Sequence, residues 1–356
     1  MAKTYTTEYF YDIIRQELSK NRFNSLQTNK EHDNYVDLIS NQFYMNGRLL
    51  LETGFKTILF EPLFDLNEYL SGSQCKNFDL LVHNHQLKQS IFIEVKSGFS
   101  SIATLLTDFE DTVRVVKEKF DEKLAPLLKL KIDEHDSVEF VLVLPRNQSL
   151  EVIGRISEQD KNEIIVWTIS EITKHTLKHD LSNISQLLAK KRTHKNGKLR
   201  ECLYNEVSLY LQRTMNCMLN SDPCQKLEYY LPQIQRCKLE KFNFTDIKSR
   251  IFDQDINFDR YSKPEDAKKY IFDQLIKNLK DMELVTIEKE TGNVLENSYS
   301  LNIDKRWIEN KVKKHIISKF FEMYLKKKEG EIQAEALKRA REYQSQKDLT
   351  SMGLGF

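Results

Sequence analysis

A chain of 356 residues is longer than one ordinary domain and predicts two or three. Hydrophobic residues at 40% suffice for real cores, whereas 10 glycines and 6 prolines are too few for a turn-rich all-β chain and favour helices. The net charge of +1 names no class of partner, so local clusters must carry that question.

Taken in order, residues 5–23 suit an amphipathic helix, with Tyr9, Phe10, Ile13, Ile14 and Leu18 at helical spacing. A polar loop is expected over 25–34. A second helix over 35–52 should stop at Thr53-Gly54, where Gly54 can take the left-handed cap. KTILFEPLFDL follows as a strand whose Pro62 marks an edge or an ending. Residues 77–98 read as two strands joined by a polar turn. Alternation places Ile91, Ile93 and Val95 in the core and Glu94 with Lys96 on the other face, and Asp79 comes off the neighbouring strand. Two carboxylates and an ammonium converging there are costly unless a cation or a substrate phosphate joins them. The helical period returns over 100–130. VEFVLVLP (138–145) and EIIVWTIS (163–170) then read as buried strands of parallel type, with a short helix between them. The expected fold class is α/β (α+β), a mixed sheet flanked by helices.

The segment KKRTHKNGKLR carries Lys190, Lys191, Arg192, Lys195, Lys198 and Arg200 and no acid. It reads as the interdomain region, either a solvated linker or a strip that contacts phosphates. Helices are expected over 200–219, 225–238 and 245–252. Ser262-Lys263-Pro264-Glu265 is a capping-box start for a helix running to Met282. LVTIEKE, a Thr291-Gly292-Asn293 turn and a strand near 297–303 complete a pattern that resembles a winged helix-turn-helix module. Its recognition helix would present Lys268 and Lys269 to DNA, although Asp266, Asp273 and Asp281 dilute the charge; packing or dimerisation is the alternative use. A last helix over 305–328 carries Lys305, Arg306, Lys311, Lys313, Lys314 and Lys319, and a disordered tail is expected after Gln346.

Cys75, Cys202, Cys217, Cys224 and Cys237 form no Cys-x-x-Cys pair, which points to a reduced intracellular protein. The alternative, zinc held by Cys217, Cys224 and Cys237, matches no usual spacing. With no apolar signal core and no membrane-length apolar run, a cytoplasmic protein without a membrane partner is expected.

The helix ending Glu-Thr-Gly-Phe, a strand, Asp79, fourteen residues, then Glu94-Val95-Lys96-Ser-Gly and a helix resembles the PD-(D/E)XK nuclease superfamily over residues 35–170. That group includes restriction endonucleases, junction resolvases and transposon-end nucleases. Phe78 stands where the family has proline. The resemblance implies a restriction-endonuclease-like core over 1–188, a winged-helix-like domain over 189–304, and a basic helix with a flexible tail over 305–356. It also implies a phosphodiester hydrolase acting on DNA with Mg²⁺ or Mn²⁺, held by Asp79, Glu94 and the Val95 carbonyl, with Lys96 serving the attacking water. A further acid is implied on the first helix of the fold, with Glu52 ranked before Gln42, and Glu61 on the first strand is a third option. A homodimer would supply two active sites for two strands.

A restriction or defence role leads. The rivals are the endonuclease subunit of a heteromeric transposase and a non-catalytic DNA-binding protein on a nuclease scaffold. His83-Asn84-His85 spells HNH but occupies a turn and reads as a polar loop, and His175 with His179, spaced i,i+4, read as surface histidines on a helix.

Overall fold

The computed structural model describes residues 5–44, 49–62, 78–99, 101–119, 137–158, 164–170, 176–179, 194–204, 207–208, 219, 221–261, 263–304 and 306–351. The chain divides into two compact units, one of residues 1–27, 222–247 and 272–356, the other of residues 28–221 and 248–271. These differ from the expected boundaries at 188/189 and 304/305. The described part of the basic segment, from His194 on, belongs to the sheet-bearing unit and is not an interdomain linker.

That unit is built on one mixed sheet with strand order β1-β2-β3-β4-β5-β6-β7: β1 Lys56–Phe60, β2 Leu80–Asn84, β3 Gln89–Val95, β4 Ser137–Pro145, β5 Ile164–Ser170, β6 Thr176–His179 and β7 Val207–Ser208. β1, β2 and β3 form an antiparallel meander, β4 and β5 join parallel to β3, and the last two strands are antiparallel. The expected strands at 138–145 and 163–170 are therefore parallel, as their unbroken apolar runs require when both sheet faces are covered.

Helix α1 spans Thr7–Tyr44 without a break. The polar stretch 25–34 is thus helix, not loop, because it lacks glycine and proline and joins two helical stretches at no cost in backbone hydrogen bonds. A short helix, α2 Leu49–Glu52, precedes Gly54, whose φ of +89° is the left-handed cap expected there. A Cβ at Gly54 would sit 2.7 Å from Asn84 Nδ2.

Helices α3 Ile102–Lys119 and α4 Arg146–Glu158 follow β3 and β4 and cover one sheet face. The core there centres on Phe78, Phe92 and Phe140, with ring centroids 5.3–5.9 Å apart, and Phe109 meets Phe78 edge-on. Phe92 alternates with Ile91 and Ile93, yet every residue of β3 is buried, so Glu94 does not share an open face. On the opposite face Phe43 of α1 stacks on Trp167 of β5.

His194 is buried between Trp167, which donates to its Nε2 at 2.9 Å, and Glu139, which meets its Nδ1 at 2.6 Å. Glu139 also accepts the Lys195 N–H at 2.8 Å. Because Trp167 can only donate, the His194 proton sits on Nδ1. Glu139→Ala is expected to cost about 2–3 kcal/mol in urea unfolding, since a buried imidazole N–H and a part-buried backbone N–H lose their acceptor. A loss below about 1 kcal/mol would mean water replaces the carboxylate.

Helix α5 Gly197–Tyr204 is capped by the Asn196 side chain on Leu199 N–H, and β7 interrupts the helix expected over 200–219. His179 ends β6, so the helical i,i+4 pairing with His175 does not apply; His175 itself lies outside the described residues.

The other unit holds α6 Pro223–Arg236, begun by an Asp222 cap with Pro223 at the first helical position, and the first residues of α7 Phe244–Arg250. Helix α8 Pro264–Asp281 ends one residue short of the expected Met282. It leads into the hairpin β8 Val285–Lys289 and β9 Ser298–Leu301, with Gly292 at φ +82° in the turn. Phe242 adds a single bridge to Tyr299. The last helix appears as two, α9 Glu309–Lys327 and α10 Glu329–Ser351, so helix continues past Gln346, where a disordered tail was expected. Ile332 and Ala336 of α10 pack with Leu325 and with Ile14 of α1, and Tyr11 donates to Glu329 at 2.9 Å. Among the described residues no helix is long and apolar enough to cross a membrane.

Candidate active site

The β2–β3 register pairs Leu80 with Ile93, and the Asp79 N–H donates to the Ile93 carbonyl at 3.0 Å. Asp79 is the bend residue just before β2, and its charge acts on Glu94 near the end of β3. Lys96 continues β3 beyond Val95 and is tied to β4 by its N–H on the Val143 carbonyl at 2.9 Å. Its Nζ is hydrogen-bonded to Glu94 Oε1. The structure therefore brings Asp79, Glu94 and Lys96 together at the end of β3.

Asp79 is buried, and one carboxylate oxygen accepts the Val95 N–H at 2.7 Å. His32, from the middle of α1, places Nε2 at 3.3 Å from the Asp79 carboxylate and Nδ1 at 3.1 Å from Asp33 Oδ1. Asp33 in turn accepts from the Ser221 hydroxyl. A chain Ser221–Asp33–His32–Asp79 thus holds the first acid in place. His32 went unrecognised in the sequence because residues 25–34 read as a loop there. A continuous 38-residue helix would have put it about one, two and three turns before the core positions Val36, Ile39 and Phe43.

The charges respond to this packing. Burial raises the Glu94 carboxyl, and the neighbouring Asp79 charge raises it further, to about 7 despite Lys96. Burial also opposes ionisation of Asp79, but the His32 charge and hydrogen bond, Lys96 and the Val95 N–H outweigh it and leave its pKa below 3.8. Burial disfavours the His32 imidazolium, yet Asp79 and Asp33 hold its pKa well above 6.5. Lys96 is likewise penalised by burial, and the Glu94 and Asp79 charges more than offset this, so its pKa lies above 10.5. At neutral pH Asp79, His32 and Lys96 are charged, and Glu94 stands near the midpoint of its titration.

Glu94 Oε2 is buried and has no hydrogen-bond partner. Glu94 and Lys96 line a cavity of about 30 Å³ with Phe78, Leu105, Asp108, Phe109 and Thr112, room for a water or a small ion. An orphaned carboxylate oxygen with a second carboxylate charge close by suits a hard divalent cation. Among the described residues no group of three or more His, Cys, Asp or Glu side chains is placed to hold a metal. A cation here would thus rest on Asp79 and Glu94 with backbone and water oxygens, the kind of partial shell Mg²⁺ accepts.

The other expected residues are placed elsewhere. Glu52 is exposed at the end of α2, and its charge is felt by Cys202 of α5, so the structure does not bring it to Asp79 and Glu94. Glu61, at φ 42°, spends its carboxylate on the Leu219 N–H at 2.8 Å. Gln42 is buried with its Nε2 unpartnered. Asn84 of the HNH tripeptide is buried and caps the turn, accepting the Gln86 and Leu87 N–H groups at 3.0 Å, while His83 is buried against Ser90. Burial, with His85 nearby, lowers the His83 pKa to about 4.

Lys190, Lys191 and Arg192 lie outside the described residues; Lys195, Lys198 and Arg200 are exposed around the start of α5. Lys268 is buried and paired with Asp253 at 2.7 Å and Glu265 at 3.1 Å, which corrects its assignment as a DNA contact. Lys269 is exposed, 3.3 Å from Asp266. On α9, Lys313 pairs with Glu309 and Lys319 with Glu322, Lys311 sits over the Trp307 ring, and Arg306 before the helix pairs with Asp304. Lys305 lies outside the described residues.

Protein-family models, curated sequences and solved structures gave no match to this chain. The site's own geometry is what any functional reading rests on.

His32→Ala is expected to destabilise the protein by about 2 kcal/mol in urea unfolding, because two buried carboxylates lose the group between them; the value falls short of the roughly 3–5 kcal/mol of a fully buried pair because the imidazole reaches solvent. His32→Gln, which keeps a donor, should recover part of that loss. Equal stability of all three proteins would show that the chain through Asp33 does not hold Asp79.

Proposed function

We propose that the chain is a divalent-metal-dependent DNA endonuclease that hydrolyses phosphodiester bonds, in a restriction or defence setting. In this reading the mixed sheet is a restriction-endonuclease-like core, and α8 with the β8–β9 hairpin is a winged-helix-like element. The observation that carries it is Asp79 within electrostatic reach of Glu94, whose buried Oε2 lacks a partner, beside the Lys96 ammonium.

The residues divide the work. Asp79 and Glu94 would hold Mg²⁺ or Mn²⁺, which supplies positive charge to the phosphate oxygens and acidifies water. His32 and the Val95 N–H orient Asp79, so that its position is set before substrate arrives. Lys96 stays protonated and presents an N–H donor and a charge where negative charge builds on the phosphoryl oxygens. The water oxygen would form its bond to phosphorus as the phosphorus bond to the leaving sugar oxygen breaks; the water gives up one proton to solvent and the leaving oxygen takes one from solvent, so the protons balance. Exposed Lys195, Lys198 and Arg200 would neutralise backbone phosphates, which would make binding fall with salt.

The test is incubation with supercoiled plasmid in Mg²⁺ or Mn²⁺, with EDTA as control and Asp79→Ala alongside. Nicking or linearisation is expected from the parent protein alone, and EDTA should abolish it. Cutting that persists in Asp79→Ala would place the active site elsewhere.

A further inference from the structure

At the carboxyl ends of β3 and β4, where α3 and α4 begin, lies a second and larger cavity of about 720 Å³. Open sheets with parallel strands gather ligands at that edge. Phe99, partly buried against the core, contributes an aromatic ring to the lining, and Asn147, Gln148 and Glu151 contribute donors and acceptors. Arg155 adds a cationic fork and Ala103 leaves room at the wall. Gln148 Oε1 is buried and has no hydrogen-bond partner. A Cβ on Gly98 would lie 3.9 Å from Gln148 Nε2, so the segment leaving Lys96 runs along the cavity's rim, and Phe99 is three residues past Lys96.

A volume of this size exceeds what water needs and suits a small organic group of mixed polarity. An aromatic face beside amide and carboxylate edges is the chemistry that stacks a nucleobase and reads its hydrogen-bonding edge. A base inside an intact duplex cannot reach such a recess; it must be unpaired or turned out of the stack.

We propose that this cavity receives one unpaired nucleotide, so that the preferred substrate is DNA with a bulged or single-stranded nucleotide near the bond to be cut. The inference rests on the nuclease reading for the cutting, and on the cavity alone for the binding.

The test measures binding by fluorescence anisotropy in EDTA, where nothing is cut. The probes are a perfect duplex and the same duplex carrying one unpaired nucleotide. The parent protein is expected to bind the bulged duplex about tenfold more tightly, the worth of one stacked base. Ala103→Trp, at an exposed helix position, fills the recess from outside the core and should erase that preference while leaving affinity for the perfect duplex unchanged. Gln148→Ala should weaken the preference. Equal affinity for both DNAs, binding to neither, or a preference that survives both substitutions overturns the proposal. The two readings separate cleanly: preference without cutting in Mg²⁺ or Mn²⁺ removes the nuclease and keeps the pocket. Cutting without preference does the reverse.

Discussion

Lys96→Ala is expected to slow single-turnover DNA cleavage by about 10²–10³-fold, the usual loss when one donor aimed at developing charge is removed. The ammonium is held by Glu94 and by the nearby Asp79 charge, so it arrives in place and protonated. Lys96→Arg should not restore the rate, because a planar guanidinium cannot occupy the small space between Phe78 and α3 that the ammonium shares with Glu94. The fold should survive the change, since Glu94 can keep its proton once the amine is gone. Affinity for DNA in EDTA should stay within about twofold, because on the proposed reading the exposed basic residues rather than Lys96 would provide most phosphate contacts. A variant that cuts at the parent rate would remove Lys96 from the mechanism. One that fails to fold would show in its circular dichroism, and Lys96→Met would then be used in its place.

The second large effect carries opposite signs for stability and activity. Glu94→Gln is expected to abolish cutting while making the metal-free protein more stable at pH 8 by about 1–2 kcal/mol. The sign follows from linkage. Glu94 in the folded protein holds its proton up to about pH 7, against 4.5 when exposed. Its contribution is therefore fully present below pH 4.5 and is lost as pH rises through 7. Ionising it in the fold costs up to about 3 kcal/mol, part of which the ion pair with Lys96 returns. The stabilising effect of the amide should accordingly shrink as pH falls from 8 to 5. Adding Mn²⁺ should raise the melting temperature of the parent and leave Glu94→Gln unmoved, because only the carboxylate offers the ion its charge. Parallel shifts in both proteins would mean that the ion binds elsewhere.

Both predictions depend on features that the sequence presents unequally. The alternation of Phe78, Leu80 and Val82, the polar turn, and the run from Ile91 to Val95 specify a hairpin through local period alone. Once that hairpin closes, its register brings the bend that carries Asp79 beside the end of β3. The runs 138–145 and 163–170 announced parallel strands for the same reason: a strand covered on both sides has no polar face to show. Gly54 and Gly292 marked turns because only they take positive φ without strain there.

Other features were hidden because their cause lies far along the chain. His32 stands in a run of polar residues that local composition assigns to a loop; its role exists only because α1 is unbroken and lies against the start of β2. Lys268 looks like a DNA-facing lysine on its own helix, and only the approach of Asp253 turns it inward. The buried set of Glu139, His194 and Trp167 joins residues on two strands and the segment before α5, and nothing in their spacing reveals it.

By itself, then, the sequence determined the hairpin, its parallel neighbours and the trio of Asp79, Glu94 and Lys96, since all follow from patterns a few residues long. Tertiary structure alone decided which other groups meet that trio, and how their burial divides the protons among them. Desolvation and long-range charge depend on neighbours that local sequence does not name.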